Sequence, residues 1–204
     1  MTERKDYTLN AEPGKYEVTG EPVAFRLYWH LPENHQIYNT VGRIASEWSH
    51  LEHMLDLIIW DLMQHEDAKV ACITSQLMGA ESRLRAIMNL LSLRGDWPGK
   101  PDLTKRLNKL KADANTVGEG RHRAVHDPWY MEAGTDQAAQ FKSMPFKKPA
   151  FGLTDIDAAE QAKVIADIRE LNERAGRLRN DVQSLIASSG GTPPRSPLIG
   201  QAST

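Results

Sequence analysis

Between Gly118 and Tyr130 the chain reads GEGRHRAVHDPWY, with two arginines and two histidines inside six residues and a proline closing the run. Side chains of these types serve three kinds of chemistry. They form a catalytic centre, in which a His moves a proton and an Arg pairs with an anion. They form a metal site, since His122 and His126 stand four apart and both imidazoles can face one ion on a helix. Or they form a charged helix end, where cations meet the macrodipole and the free carbonyls. The last is the plainest account of His122 and Arg123.

A wider metal site would need carboxylates. Two Glu-x-x-His pairs occur, Glu47/His50 and Glu119/His122, and Glu81 and Glu173 supply further carboxylates on other helical segments. Carboxylate-bridged di-metal bundles use residues of these types. Against this, Glu47 and His50 flank Trp48 rather than share its apolar stripe. His53 and His65 read as surface residues. There is no phosphate-binding glycine loop, no paired CxxC and no GxSxG elbow.

The elements that must position these residues read as helices. A first pattern over 34–63 places Ile37, Val41, Ile44, Trp48, Leu51, Leu55, Ile58 and Leu62 in alternating steps of four and three. A second, over 67–93, carries Val70, Ile73, Leu77, Ala80, Leu84, Ile87 and Leu91. A third starts near Asp102 with Leu103, Leu107, Leu110, Ala114 and Val117. A fourth opens at LTDID, where Thr154 and Asp157 have capping-box spacing, and continues through Val164, Ile168, Leu171, Ala175, Leu178, Val182 and Leu185. The expected class is all-α, an antiparallel four-helix bundle over 34–187. An irregular arm over 1–33, in which AFRLYWH alternates like a short strand, precedes it. A disordered tail rich in Gly, Pro and Ser over 188–204 follows. The long connection Trp129–Leu153 admits a small hairpin lying against the end of the third helix. Met54, Leu57, Trp60 and Met63 lie off the first stripe, so that helix is central or meets a partner.

Continuing the third stripe past Val117 reaches Arg121 and then Ala124, so an arginine falls where the interior is expected. It would need a partner, such as Glu47 or Glu52 on the first helix. On an ideal helix His126 lies about 140° around from Arg121. Gly118, Gly120 and Pro128 weaken the helix near its end, where distortion is cheap and convergence of the two is possible; a second protomer could also supply one of the groups.

Composition narrows the partners. Of 204 residues, 40% are apolar and 25% charged, with a net charge of −2, so no global field draws the chain to nucleic acid or membrane and any polyanion site is a local patch. A single cysteine, Cys72, excludes an internal disulfide and reads as core filler in a reducing cytoplasm. No signal peptide is visible and MLDLIIWDLM is too short and acidic to span a bilayer, so no membrane partner is expected.

RHRAVH, an Arg followed by four residues and a His near the end of a third helix, resembles the mark of the HEPN superfamily, R-x(4–6)-H. VGRIASEWSHLEHML looks like the first helix of bacterial HEPN-like proteins and SRLRAIMNLLS like their second; the resemblance covers roughly 36–186. Many members are metal-independent ribonucleases that act as homodimers in toxin–antitoxin and phage-defence systems, and others are non-catalytic binding or scaffolding modules. Arg121 and His126 match the family's Arg and His. The sequence departs from the pattern at His122, where Asn is most frequent, and at Asp127, where Gly is frequent. The resemblance implies that His126 is a general base and Arg121 a phosphate ligand. Arg123, His122, Lys109 and Lys111 would hold flanking RNA, and Glu47 and Asp127 would support the site. It also implies no cofactor or metal, and as partners a second copy, RNA or a nucleotide, and an antitoxin.

Overall fold

A computed structural model describes residues 11–12, 15–16, 28–65, 67–95, 97–132, 135, 137–144, 150–155 and 158–188. The fold is mostly helical. Five helices are present: α1 (Ile37–Met63), α2 (Asp67–Thr74), α3 (Gly79–Leu93), α4 (Lys100–His126) and α5 (Ala158–Ser188). Strands β1 (Ala11–Glu12), β2 (Lys15–Tyr16), β3 (Tyr28–His30), β4 (Trp129–Glu132), β5 (Ala138–Met144) and β6 (Ala150–Asp155) complete the order. Most of the expected arm and nearly all of the expected tail lie outside the described residues.

Helices α1, α3, α4 and α5 enclose one apolar core. The stripes explain why. Ile44, Trp48, Leu51, Leu55, Ile58 and Leu62 of α1 are buried, and they meet Leu103, Leu107, Leu110 and Ala114 of α4 and Ile168, Leu171, Ala175, Leu178 and Val182 of α5. Helix α1 is the central element and packs on the other four helices. Its second apolar face is used inside the chain: Leu57 is buried, Met54 and Met63 pack against the core, and Trp60 Nε1 donates to Oγ1 of buried Thr74 on α2 at 3.1 Å. The apolar excess on this helix therefore gives no separate argument for a partner. Among the described residues no helix is long and apolar enough to cross a membrane.

Three expectations need correction. The second helix is two, α2 and α3. The 3–4 spacing runs through a break at 75–78, where Gly79 takes φ +71 and Ile73, expected inside, is half exposed at 52%. Arg83 of α3 stabilises the break by donating through Nη1 to the carbonyls of Leu77 and Gly79, at 2.9 and 3.0 Å. Cys72 is exposed rather than core filler. The fourth helix begins at Ala158, and Thr154 is strand, its hydroxyl bonded to the Gln140 carbonyl; Asp157 lies outside the described residues. The mostly helical class stands, and the hairpin admitted between the third and fourth helices is a small sheet. The 129–153 connection supplies three antiparallel strands, β4, β5 and β6, and β3 of the arm joins them in the order β3-β4-β5-β6. Trp29 pairs with Met131 and His30 with Tyr130. That long-range pairing leaves no local signal in the sequence.

Candidate functional site

The last turns of α4 are held close to two neighbouring helices. A Cβ on Gly118 would come within 3.1 Å of Cη2 of Trp48, and one on Gly120 within 3.1 Å of Cγ2 of Val164. The glycines thus let α4 approach α1 and α5, and the helix runs on through both to His126. Trp48 is itself fixed, since its Nε1 donates to Oε1 of Glu52 at 2.8 Å.

The end of α4 is sealed by the sheet. The Asp127 N–H and the buried Gln140 side chain both donate to the Arg123 carbonyl, at 3.0 and 2.8 Å. Trp129 Nε1 donates to the Ala124 carbonyl at 2.9 Å, and its ring packs with Leu31, Ile37 and Ala138. Two of the terminal carbonyls are therefore satisfied without the nearby cations. The connection lies against the helix end, as expected, with Trp129 as a plug. Tyr130, on the opposite face of the strand, comes within 6.3 Å of the His30 ring.

Arg121 follows Gly120 and is half-buried on the stripe. Its guanidinium head reaches the His126 ring near the helix end. Nη1 donates to Nε2 of His126 at 3.3 Å, so the two side chains converge within one helix. Guanidinium nitrogens have no acceptor lone pair. At this contact Nε2 must accept, which places the ring proton of a neutral His126 on Nδ1. Nε of Arg121 is buried and has no hydrogen-bond partner among the described residues. A buried N–H without a partner is uncommon and carries a desolvation cost.

His122 lies one turn before His126, and the two rings have centroids 4.6 Å apart, tilted by 45°. His122, Arg123 and His126 are exposed. Asp127 caps the helix in extended geometry. The remaining expected residues are elsewhere. Glu47 accepts from Arg169 of α5 at 2.7 Å, and Glu52 serves Trp48, so neither holds Arg121. Lys111 faces Glu81 of α3 at 3.8 Å. Lys109 lines a shallow cavity of about 190 Å³ with Arg106, Arg174 and Arg177. At a rise of about 1.5 Å per residue, Lys109 and Lys111 stand roughly 15–18 Å along the axis from Arg121, outside its reach in the same chain.

The carboxylates of a di-metal centre do not gather. Glu47, Glu81 and Glu173 pair with Arg169, Arg85 and Arg177, while Glu119 and His50 are exposed. Among the described residues no group of three or more His, Cys, Asp or Glu is placed to hold a metal ion. Gln140, which fixes the helix end together with Trp129, carries no signal in the sequence because its partner is a backbone carbonyl reached only through the sheet. No protein-family model, curated protein or solved structure matches the chain.

Proposed function

We propose that the chain is a metal-independent endoribonuclease of HEPN type, an antiparallel four-helix bundle with a sheet seated on one helix end, in which Arg121 and His126 perform the chemistry. The observation that supports this reading is the 3.3 Å contact between Arg121 Nη1 and His126 Nε2 at the exposed end of α4. The pair is poised rather than spent. A phosphate offers Arg121 a bidentate, charge-assisted partner better than a neutral imidazole. Moving Arg121 onto the phosphate frees the Nε2 lone pair. His126 then takes the proton from a ribose 2′-OH, the 2′-oxygen attacks phosphorus, and Arg121 stabilises the charge that grows on the phosphate oxygens. The products are a 2′,3′-cyclic phosphate and a 5′-OH. Exposed Arg123 is placed to hold a neighbouring phosphate. A homodimer, an antitoxin and a role in toxin–antitoxin or phage-defence systems follow from the family resemblance alone, and a cytoplasmic location from the single cysteine.

The test is incubation of single-stranded RNA with the protein in EDTA, with product ends assayed for cyclic phosphate. We expect cleavage by wild type, and loss of about a hundredfold or more in His126→Ala and Arg121→Ala. Cleavage abolished by EDTA, or unchanged in both variants, sinks the reading. No cleavage of any RNA by wild type would favour a non-catalytic binding module of the same fold.

A further inference from the structure

The reaction above leaves one proton unassigned. When the P–O5′ bond breaks, the departing oxygen needs a proton, and His126 has just taken one rather than given one. Arg121 and Arg123 cannot supply it, because a guanidinium stays protonated throughout the accessible range. Lys109 and Lys111 are a dozen or so residues back along α4, and Tyr130 lies on the sheet face turned toward His30.

We propose that His122 is the general acid of this site. The inference rests on the ribonuclease reading. His122 is exposed, and its ring centroid lies 4.6 Å from that of His126 with the planes tilted by 45°, so the two imidazoles share one exposed patch of the helix end. In-line displacement at phosphorus asks for two such groups within reach of one phosphate: one at the attacking oxygen, another at the leaving oxygen, the two oxygens on opposite sides of the phosphorus. The Arg121 contact distinguishes the two imidazoles. It holds the Nε2 of His126 as a lone pair, the form a base requires, while His122 has no such donor contact among the described residues. The step balances. The 2′-OH proton passes to Nε2 of His126 as the O2′–P bond forms. The P–O5′ bond breaks, and the proton on His122 passes to O5′, giving the 5′-OH. Proton exchange with water returns both rings to their starting forms.

A bridging sulfur at the leaving position tests this directly, since a thiolate departs without a proton. The cleavage site of a short RNA is mapped with wild type, and the same oligonucleotide is made with sulfur in place of the 5′-oxygen at that site. On ordinary RNA, His122→Ala and His122→Gln should lower kcat by about 10²- to 10³-fold. On the sulfur substrate both should fall within about fivefold of wild type, and this recovered activity reports an intact fold. His126→Ala should remain defective on both substrates, because the 2′-OH still needs a base. Equal loss in the His122 variants on both substrates, or no loss on either, overturns the proposal and leaves the ribonuclease reading standing. Wild type that cleaves neither substrate overturns both.

Discussion

Two arginines of this molecule stand on neighbouring helices and differ in how completely they are bonded. Arg83 on α3 donates through Nε to Oδ1 of Asp56 at 2.8 Å and through Nη1 to two backbone carbonyls, with Glu52 4.0 Å away. Arg121 on α4 reaches one imidazole at 3.3 Å and keeps a buried Nε–H without a partner. Arg83 closes a break between helices and meets its charge with carboxylates. Arg121 has no carboxylate partner among the described residues, and its bonds remain to be made. The same division recurs at Asp61, buried at 2%, which accepts from Arg179 and Gln183 and ties α1 to α5. At Arg83 and Asp61 bonded polar networks hold the frame, whereas the arginine at the exposed helix end is left with a buried N–H unpartnered among the described residues.

The largest expected effect is on the saturated side. Arg83→Ala strands Asp56 and two carbonyls and should cost about 3–5 kcal/mol in urea unfolding. A loss no larger than that of an exposed residue would erase the contrast. Gln140→Ala removes one of two donors to the Arg123 carbonyl, and should cost about 1–2 kcal/mol while raising amide exchange in the last turn of α4. The glycines refine the picture of what holds Arg121 in place. Gly42 has nothing within 4 Å of its Cβ position, so Gly42→Ala should raise stability by about 0.5–1 kcal/mol. Gly118→Ala gains the same helix propensity but drives a methyl against the fixed Trp48 ring, so its melting temperature should not rise. Smallest of all is Arg121→Ala, expected within about 0.5 kcal/mol of wild type in stability. The sequence had argued for a larger cost through an abandoned carboxylate, but Glu47 belongs to Arg169. A destabilisation matching that of Arg83→Ala would make Arg121 a structural residue and end its separate status.

The helical stripes were legible because burial repeats locally. Ile44 through Leu62 and Leu103 through Ala114 are buried where their spacing places them. The α2–α3 break was not legible, since Val70, Leu77, Ala80 and Leu84 keep the same spacing on either side of it. Gly79 was its one mark. At the site, Arg121 and His126 could be singled out by residue type and place on the stripe. Their contact could not, because an ideal helix sets them about 140° apart and only the length and turn of the arginine side chain closes the gap. The pairing of β3 with β4 escaped for the opposite reason, as nothing near residue 30 points to residue 130.

That pairing bears on the order in which the molecule becomes native. His30 and Tyr130 lie about a hundred residues apart, so the strand closes one of the longest loops in the chain and bears a loop-closure entropy that local helix formation does not. Docking of α1 on α5 closes loops of similar span, as the Asp61–Arg179 pair does, so the sheet and the helical core share that cost. Trp129 and Gln140 reach the carbonyls of α4 only as the strands take their places, so its last turn is completed together with the sheet. Transient loss of β3 would remove the pairing partner of β4 and the Leu31 contact of Trp129, and this helix end is thereby tied to a part of the chain far from it in sequence.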